Sequence, residues 1–277
     1  MSNKVWFVTG ASKGLGLTLT KRLLTEGYKV AATSRTADAL IKAVGTSDNF
    51  LPLEVTLTDE NSVQKGITDT LKKFGTIDVI VNNAGYGQFG TLEELSDAEV
   101  RRNFDINVFG SLNVIRQVMP FLREQRSGRI FNISSIGGLF GNFPGWGSYC
   151  ATKFAVVGFT EALAAEGKEY GISATVVYPG YFRTEFLSSE SLALPAKQVD
   201  AYHEAKISLA AHQNEISGNQ AGDPEKASAL LIKIASEPDQ PLHLILGQDA
   251  YNLAEVKIDA LKKDMEQMKA AAVATAF

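Results

Sequence analysis

Tyr149 and Lys153 stand four positions apart, where the glycine-rich stretch "GNFPGWG" (141–147) runs into an apolar-periodic segment. On a helix these positions share a face, so the lysine ammonium can sit beside the phenol and favour its ionised form. A free tyrosine titrates near pH ~10 and is a poor acid or base at neutral pH. Pairing with the lysine would make it a usable proton-transfer group. Tyr202 and Lys206 repeat the spacing, but no serine-bearing strand precedes them, and they read as a solvated helix pair. Spacing alone does not select the reactive pair.

A second chemical feature lies at the other end of the chain. Gly10, Gly14 and Gly16 in "VTGASKGLGLTL" directly follow the first predicted strand and open the first predicted helix. Glycines there permit a tight turn and let backbone N–H groups approach a pyrophosphate, whose charge the helix N-terminus favours. The spacing Gly-x-x-x-Gly-x-Gly differs from a nucleoside triphosphate loop and from the common Gly-x-Gly-x-x-Gly fingerprint. At the end of the second strand, an acidic residue would grip an adenosine ribose 2′-hydroxyl and a basic one a 2′-phosphate. The segment "TSRTAD" (33–38) presents Ser34 and Arg35 first, and Lys13 faces the same neighbourhood, which predicts NADP(H) over NAD(H). Asp38, the counter-candidate, lies further on and reads as a first-turn helix residue.

These groups need a frame. Short β-branched or apolar runs at 4–9, 29–34, 50–54, 77–82, 129–134 and 172–178 alternate with helical periodicity near 15–27, 36–45, 59–74, 97–124 and 149–170. Ser96 with Glu99 forms a capping box before the fourth helix, and Gly27, Gly75 and Gly171 stand where helices should stop. Strands apolar on both faces, alternating with helices, predict an α/β doubly wound, Rossmann-like parallel sheet. Beyond Pro179 the pattern loosens. Residues 181–222 read as a substrate lid, 224–236 as a helix opened by Pro224, 242–246 as a last strand and 249–272 as an amphipathic helix. No linker or repeat divides the chain, so 1–277 reads as one domain with a cofactor core to about 180, the lid, and a C-terminal elaboration from 223.

Composition narrows the class. With 277 residues, 45% of them hydrophobic, the chain can bury a large core. A net charge of −4 without long like-charge runs argues against nucleic acid or an anionic membrane. Cys150 is the one cysteine, and three scattered histidines, His203, His212 and His243, make no metal site. No signal-like start or membrane-length apolar run is present, and a metal-independent cytoplasmic protein is expected.

The glycine loop, "NNAG" (82–85), "NISS" (132–135) and "YCATK" (149–153) occur in this order, each at a predicted strand end or in the helix after it. In this the chain resembles the short-chain dehydrogenase/reductase family from about residue 4 to 184. The resemblance implies an oxidoreductase that interconverts a carbonyl and an alcohol, with the cofactor supplying hydride and the protein a proton and its placement. It implies cofactor contacts from Gly10, Ser12, Lys13, Gly14, Leu15, Gly16, Ser34 and Arg35, then Glu54 and Val55, then Asn82, Ala84 and Gly85. Tyr149, Lys153, Pro179, Gly180 and Thr184 complete the set. Tyr149 matches the general acid/base, Lys153 its partner, Ser135 the serine on the carbonyl oxygen, and Asn107 the asparagine that helps hold a relay water.

Two departures stand out. "LEVT" carries Glu54 where the family usually has aspartate, and Ser135 to Tyr149 spans one position more than the family leads one to expect, so "GNFPGWG" reads as carrying an insertion. Ser134 is then a rival to Ser135, which the alignment of "SIGGLFG" favours. Phe140, Phe143, Trp146, Tyr181, Phe182, Phe186 and Leu187 are candidates for an apolar pocket that takes a hydrophobic ketone or alcohol. Cys150 reads as a small buried residue rather than a nucleophile. The resemblance also implies a homodimer or homotetramer built partly on helices 97–124 and 149–170. An NAD-dependent hydroxysteroid- or retinol-type dehydrogenase and a non-catalytic cofactor sensor are the alternatives.

Overall fold

The computed structural model describes residues 4–189 and 191–275; residues 1–3, 190 and 276–277 of the expected 1–277 unit lie outside the described residues. In chain order come β1 (Val5–Val8), α1 (Gly14–Thr25), β2 (Lys29–Ser34), α2 (Ala37–Val44), β3 (Phe50–Glu54), α3 (Glu60–Phe74), β4 (Val79–Asn82) and β5 (Gly87–Gln88). Then follow α4 (Asp97–Phe104), α5 (Gly110–Gln125), β6 (Gly128–Ile133), α6 (Gly147–Gly167), β7 (Ile172–Pro179) and β8 (Leu192–Ala193). The chain continues with α7 (His203–Ala211), α8 (Pro224–Ile234), β9 (His243–Leu246) and α9 (Gln248–Val273).

Successive strand residues point to opposite faces, so a strand apolar at every position demands cover on both sides. Trp6 and Val8 accordingly pack with Leu19, Leu23 and Leu231 beneath α1 and α8. Phe7 turns the other way, to Val63, Ile67 and Val114 of α3 and α5. The result is the expected parallel sheet of seven strands in the order β3-β2-β1-β4-β6-β7-β9. Strand order reverses between β1 and β4, which opens a crevice at the carboxyl ends of the strands.

The predicted helix over 97–124 is interrupted. The Ser96–Glu99 capping box opens α4 as expected, but residues 105–109 form a single π turn before α5 continues the rod. One inserted residue barely disturbs an apolar period, so the sequence pattern ran through it. Segment 181–222 also holds more structure than its composition shows. β8 pairs with β5 through Gly87↔Leu192 and Gln88↔Ala193, Phe182 bridges to Gly222, and α7 leads into a second π turn at His212–Ile216. Two-residue strands are too short to show a period. Ala250 and Ala254 seat the start of α9 under Ile136, while Ile258, Leu261, Met265 and Met268 run exposed along its far half. No helix among the described residues is long and apolar enough to cross a membrane.

Candidate active site

The glycine loop is latched to the turn after β4. The Thr9 hydroxyl accepts the backbone N–H groups of Asn83 (3.0 Å) and Ala84 (3.1 Å), and the Asn83 side chain donates to the Thr9 and Gly10 carbonyls, both at 3.0 Å. Gly10 has φ +64°, and a methyl group on it would fall 2.7 Å from Ala84 Cα. On Gly16 a methyl would fall 2.6 Å from the Gly10 carbonyl oxygen, so Gly16 lets α1 close on its own loop rather than face a ligand. The latch falls to Asn83, a residue the sequence reading did not single out. Asn82 is buried and donates to Asn132 (2.8 Å), which donates to Thr160 (2.9 Å), a polar brace from β4 through β6 to α6.

Tyr149 and Lys153 occupy the first two turns of α6, both buried. Ser135 reaches them from the end of β6: its hydroxyl accepts the Gly137 N–H at 3.1 Å and hydrogen-bonds the Tyr149 phenol. The Ser134 hydroxyl instead donates to the Lys153 backbone carbonyl at 2.9 Å and is spent holding strand end to helix. That geometry favours Ser135 over Ser134. Gly138 closes the same clamp, because a methyl there would lie 2.7 Å from the Lys153 carbonyl oxygen. Gly138→Ala is expected to destabilise the fold by about 1–3 kcal/mol, read by urea denaturation, since the Lys153 backbone cannot yield and the Ser134 hydroxyl is tied to it. An unchanged midpoint would remove the clamp from the account.

Burial moves both titrations. It pushes the Tyr149 phenol above its ordinary value, against the Ser135 hydrogen bond that lowers it. It pushes Lys153 down from 10.5 to about 8. The Lys153 ammonium donates to the Ile133 carbonyl at 2.9 Å and stands 5.7 Å from the Tyr149 ring centre. Desolvation is the largest influence on both titrations. Burial also pushes the Cys150 thiol up to about 11, which suits a passive wall residue.

Asn107 lies inside the first π turn, and its side chain is fully engaged. The oxygen accepts the Tyr86 N–H at 3.0 Å, and the amide donates to the Tyr86 carbonyl and the Thr152 hydroxyl, both at 3.1 Å. A methyl on Gly85 would touch Asn107 Oδ1 at 3.0 Å and Lys153 Nζ at 3.5 Å, so the three residues converge. The side chain thus ties α6 to the turn after β4.

One cavity of about 900 Å³ runs from the glycine loop to Tyr149. Of the expected residues it is lined by Gly10, Ser12, Lys13, Gly14, Leu15, Ser34, Arg35, Val55, Ala84, Gly85, Ser135, Tyr149, Lys153, Pro179, Gly180 and Thr184. Gly16, Asn82 and Asn107 stand behind this wall, and Glu54 is exposed at the end of β3. Asp38 lies in the first turn of α2, as expected. Phe143, Trp146, Tyr181, Phe182, Phe186 and Leu187 line the same cavity. Phe140 does not; it packs toward the start of α9. Gly145, at φ +84°, lies against the Phe89 ring and its carbonyl accepts the Gly90 N–H at 2.8 Å, so the glycine-rich loop is fastened down. His212 and Gln220 also line the cavity, without any sequence signal beyond their residue types. Tyr202 donates to Glu93 and Lys206 to Asp200, each at 2.6 Å on the surface, which leaves that pair as two separate contacts.

The family model of the short chain dehydrogenases matches residues 4–194. An oxidoreductase, BOA17, of Botryotinia fuckeliana is 34% identical over 275 residues, 99% of each chain. A short-chain dehydrogenase from Streptomyces avermitilis superposes over the whole of both chains with a TM-score of 0.89 and 32% identity. ElxO, solved with NADP bound, has a TM-score of 0.72 and 28% identity over 88% of this chain and 97% of its own. The chain belongs to the short-chain dehydrogenase/reductase family and is an NAD(P)-dependent oxidoreductase of that class.

Proposed function

We propose that the protein is an NADP(H)-dependent carbonyl reductase or alcohol dehydrogenase in which Tyr149 is the general acid/base. The observation that carries this reading is the continuity of one cavity from the glycine loop to Ser135, Tyr149 and Lys153. The cradle fits a dinucleotide: Gly10 and Ala84 approach too closely for a side chain, which leaves backbone free to meet a pyrophosphate at the start of α1. Gly10, Ser12, Gly14 and Leu15 would hold the pyrophosphate side, Ser34, Arg35 and Lys13 a 2′-phosphate, Val55 and Ala84 the adenine side, and Pro179, Gly180 and Thr184 the carboxamide. When bound, the cofactor supplies the hydride.

The chain's own residues supply the rest. Ser135 donates to the substrate oxygen and Tyr149 gives it a proton as charge develops. Burial keeps the phenol protonated, the form that reduction needs. Lys153 carries the local positive charge and reaches the nicotinamide ribose. Because the Asn107 side chain is spent on Tyr86 and Thr152, its relay water would rest on backbone carbonyl freed by the π turn. Residues 181–222 act as the substrate lid of a single domain, over a pocket suited to a hydrophobic ketone. Phe109, Phe121 and Phe154 are exposed on the rod of α4 and α5 and on α6, which supports a homodimer or homotetramer through those helices, read by light scattering.

The test is turnover of aliphatic, aryl and steroidal ketones with NADPH and with NADH; no oxidation of either cofactor by any of them would end this reading. Arg35→Ala is expected to lower kcat/KM for NADPH by about 10–100-fold, the worth of one charge-assisted phosphate contact, and to leave NADH nearly untouched. A wild-type preference for NADH would sink the Arg35 assignment alone.

A further inference from the structure

Among the aromatic and aliphatic side chains of the cavity wall, Tyr181 and His212 form a hydrogen-bonded pair. Tyr181, just past the Pro179–Gly180 turn, is fixed by its backbone N–H donating to Asp249 at 2.7 Å. Its hydroxyl lies 2.8 Å from His212 Nε2, and His212 Nδ1 lies 2.7 Å from the Ser208 carbonyl oxygen. A carbonyl oxygen only accepts, so Nδ1 carries the hydrogen. Burial lowers the ring's titration below its ordinary value, against the Ser208 bond that raises it, and the neutral ring presents a lone pair at Nε2. The Tyr181 proton is thereby committed to His212. Toward the cavity the Tyr181 oxygen keeps only acceptor lone pairs.

This dyad stands close to the reacting end. Trp146 packs on His212 with ring centres 4.8 Å apart and on Tyr149 at 5.8 Å, joining both to one wall. Tyr181 is also among the groups that raise the Tyr149 titration. In the same wall the Trp146 indole N–H and the Gln220 side-chain oxygen are buried without a hydrogen-bond partner among the described residues. A polar cluster in an apolar cavity selects for a substrate group that satisfies it.

We propose that Tyr181, oriented by His212, is a specificity-determining acceptor for a hydroxyl group, so that the protein takes ketones bearing a neutral hydroxyl near the reacting carbonyl. This rests on Tyr149 being the acid/base group. Three aryl ketones of matched shape test it: α-hydroxyacetophenone, propiophenone with a methyl in place of the hydroxyl, and α-methoxyacetophenone, which can only accept. With saturating NADPH the wild type is expected to favour the hydroxy ketone over propiophenone by about 10–100-fold in kcat/KM, mostly through KM. Tyr181→Phe, which removes one oxygen, is expected to shrink that ratio to within about three-fold. His212→Phe releases the Tyr181 proton to point into the cavity, so preference should move toward the methoxy ketone. Equal use of the hydroxy and methyl ketones by the wild type, or a preference that survives Tyr181→Phe, would overturn the proposal. Calorimetric titration of the same three compounds reads the discrimination without turnover. Selective binding of the hydroxy compound, lost in Tyr181→Phe, with no reduction by any variant would refute the reductase reading and leave the subsite standing.

Discussion

Tyr149→Phe is expected to bind NADPH within about two-fold of the wild type while reducing any active ketone about 10²–10⁴-fold more slowly. The substitution removes only the hydroxyl. The ring's packing against Trp146 (5.8 Å) and Phe186 (5.7 Å) persists, and so does the lysine's bond to Ile133. Ser135 would still polarise the carbonyl, which leaves residual rate rather than none. The pH dependence carries the sign of the same assignment. Because burial raises the phenol, it stays protonated through the neutral range, and reduction with the wild type should be nearly flat from about pH 6 to 7 and fall above about pH 8, where Lys153 loses its charge. Alcohol oxidation needs the phenolate and should climb with pH across that range. NADPH fluorescence titration and initial rates in both directions measure these effects. Activity within ten-fold of the wild type in the phenylalanine variant would refute Tyr149 as the acid.

Much of this site was legible because its signals sit on regular elements. Gly10 came two positions after the apolar run Val5–Val8, and such a run in a parallel sheet ends toward the carboxyl edge where ligands bind. Tyr149 and Lys153 shared a helix face at a fixed spacing, although the upstream motifs, not the spacing, distinguished them from Tyr202 and Lys206. Side-chain direction was harder to read. Asn82 and Asn83 are adjacent in one motif, yet strand alternation sends the first into the brace with Asn132 and leaves the second to latch the glycine loop. Asn107 was found by its place in the family pattern, while the π turn that aims it was invisible. His212 and Tyr181 meet only because 181–222 folds back through β8 and α7, a long-range arrangement that polar composition does not encode. Lys153 was expected to ease ionisation of the phenol; burial of both groups works against ionisation of either, and burial is a property of the fold, not of the spacing.

That burial gives Lys153→Met opposite effects on stability and on activity. The ammonium is buried, and its titration falls from 10.5 to about 8. A depressed lysine means that the folded state disfavours the proton. The cost is present in full below about pH 8, diminishes as pH rises from there, and vanishes above about 10.5, where the group is neutral folded and unfolded. At 1.36 kcal/mol per unit the shift amounts to about 3 kcal/mol. Methionine keeps the length and removes the charge, but it leaves the Ile133 carbonyl without its 2.9 Å donor, which returns about 1–2 kcal/mol. The cofactor-free variant is therefore expected to be about 1–2 kcal/mol more stable than the wild type at pH 7 in urea denaturation, and the gain should fade toward pH ~10. Its ketone reduction should meanwhile fall by at least about 10²-fold, because the local positive charge and the ribose contact are lost together. Added NADPH should stabilise the wild type more than the variant, since a ligand stabilises in proportion to its affinity for the folded form. A variant less stable than the wild type at pH 7 and no better at pH 10 would show that the lysine's hydrogen bond outweighs its desolvation, and would place the ammonium in the fold's support rather than in its chemistry.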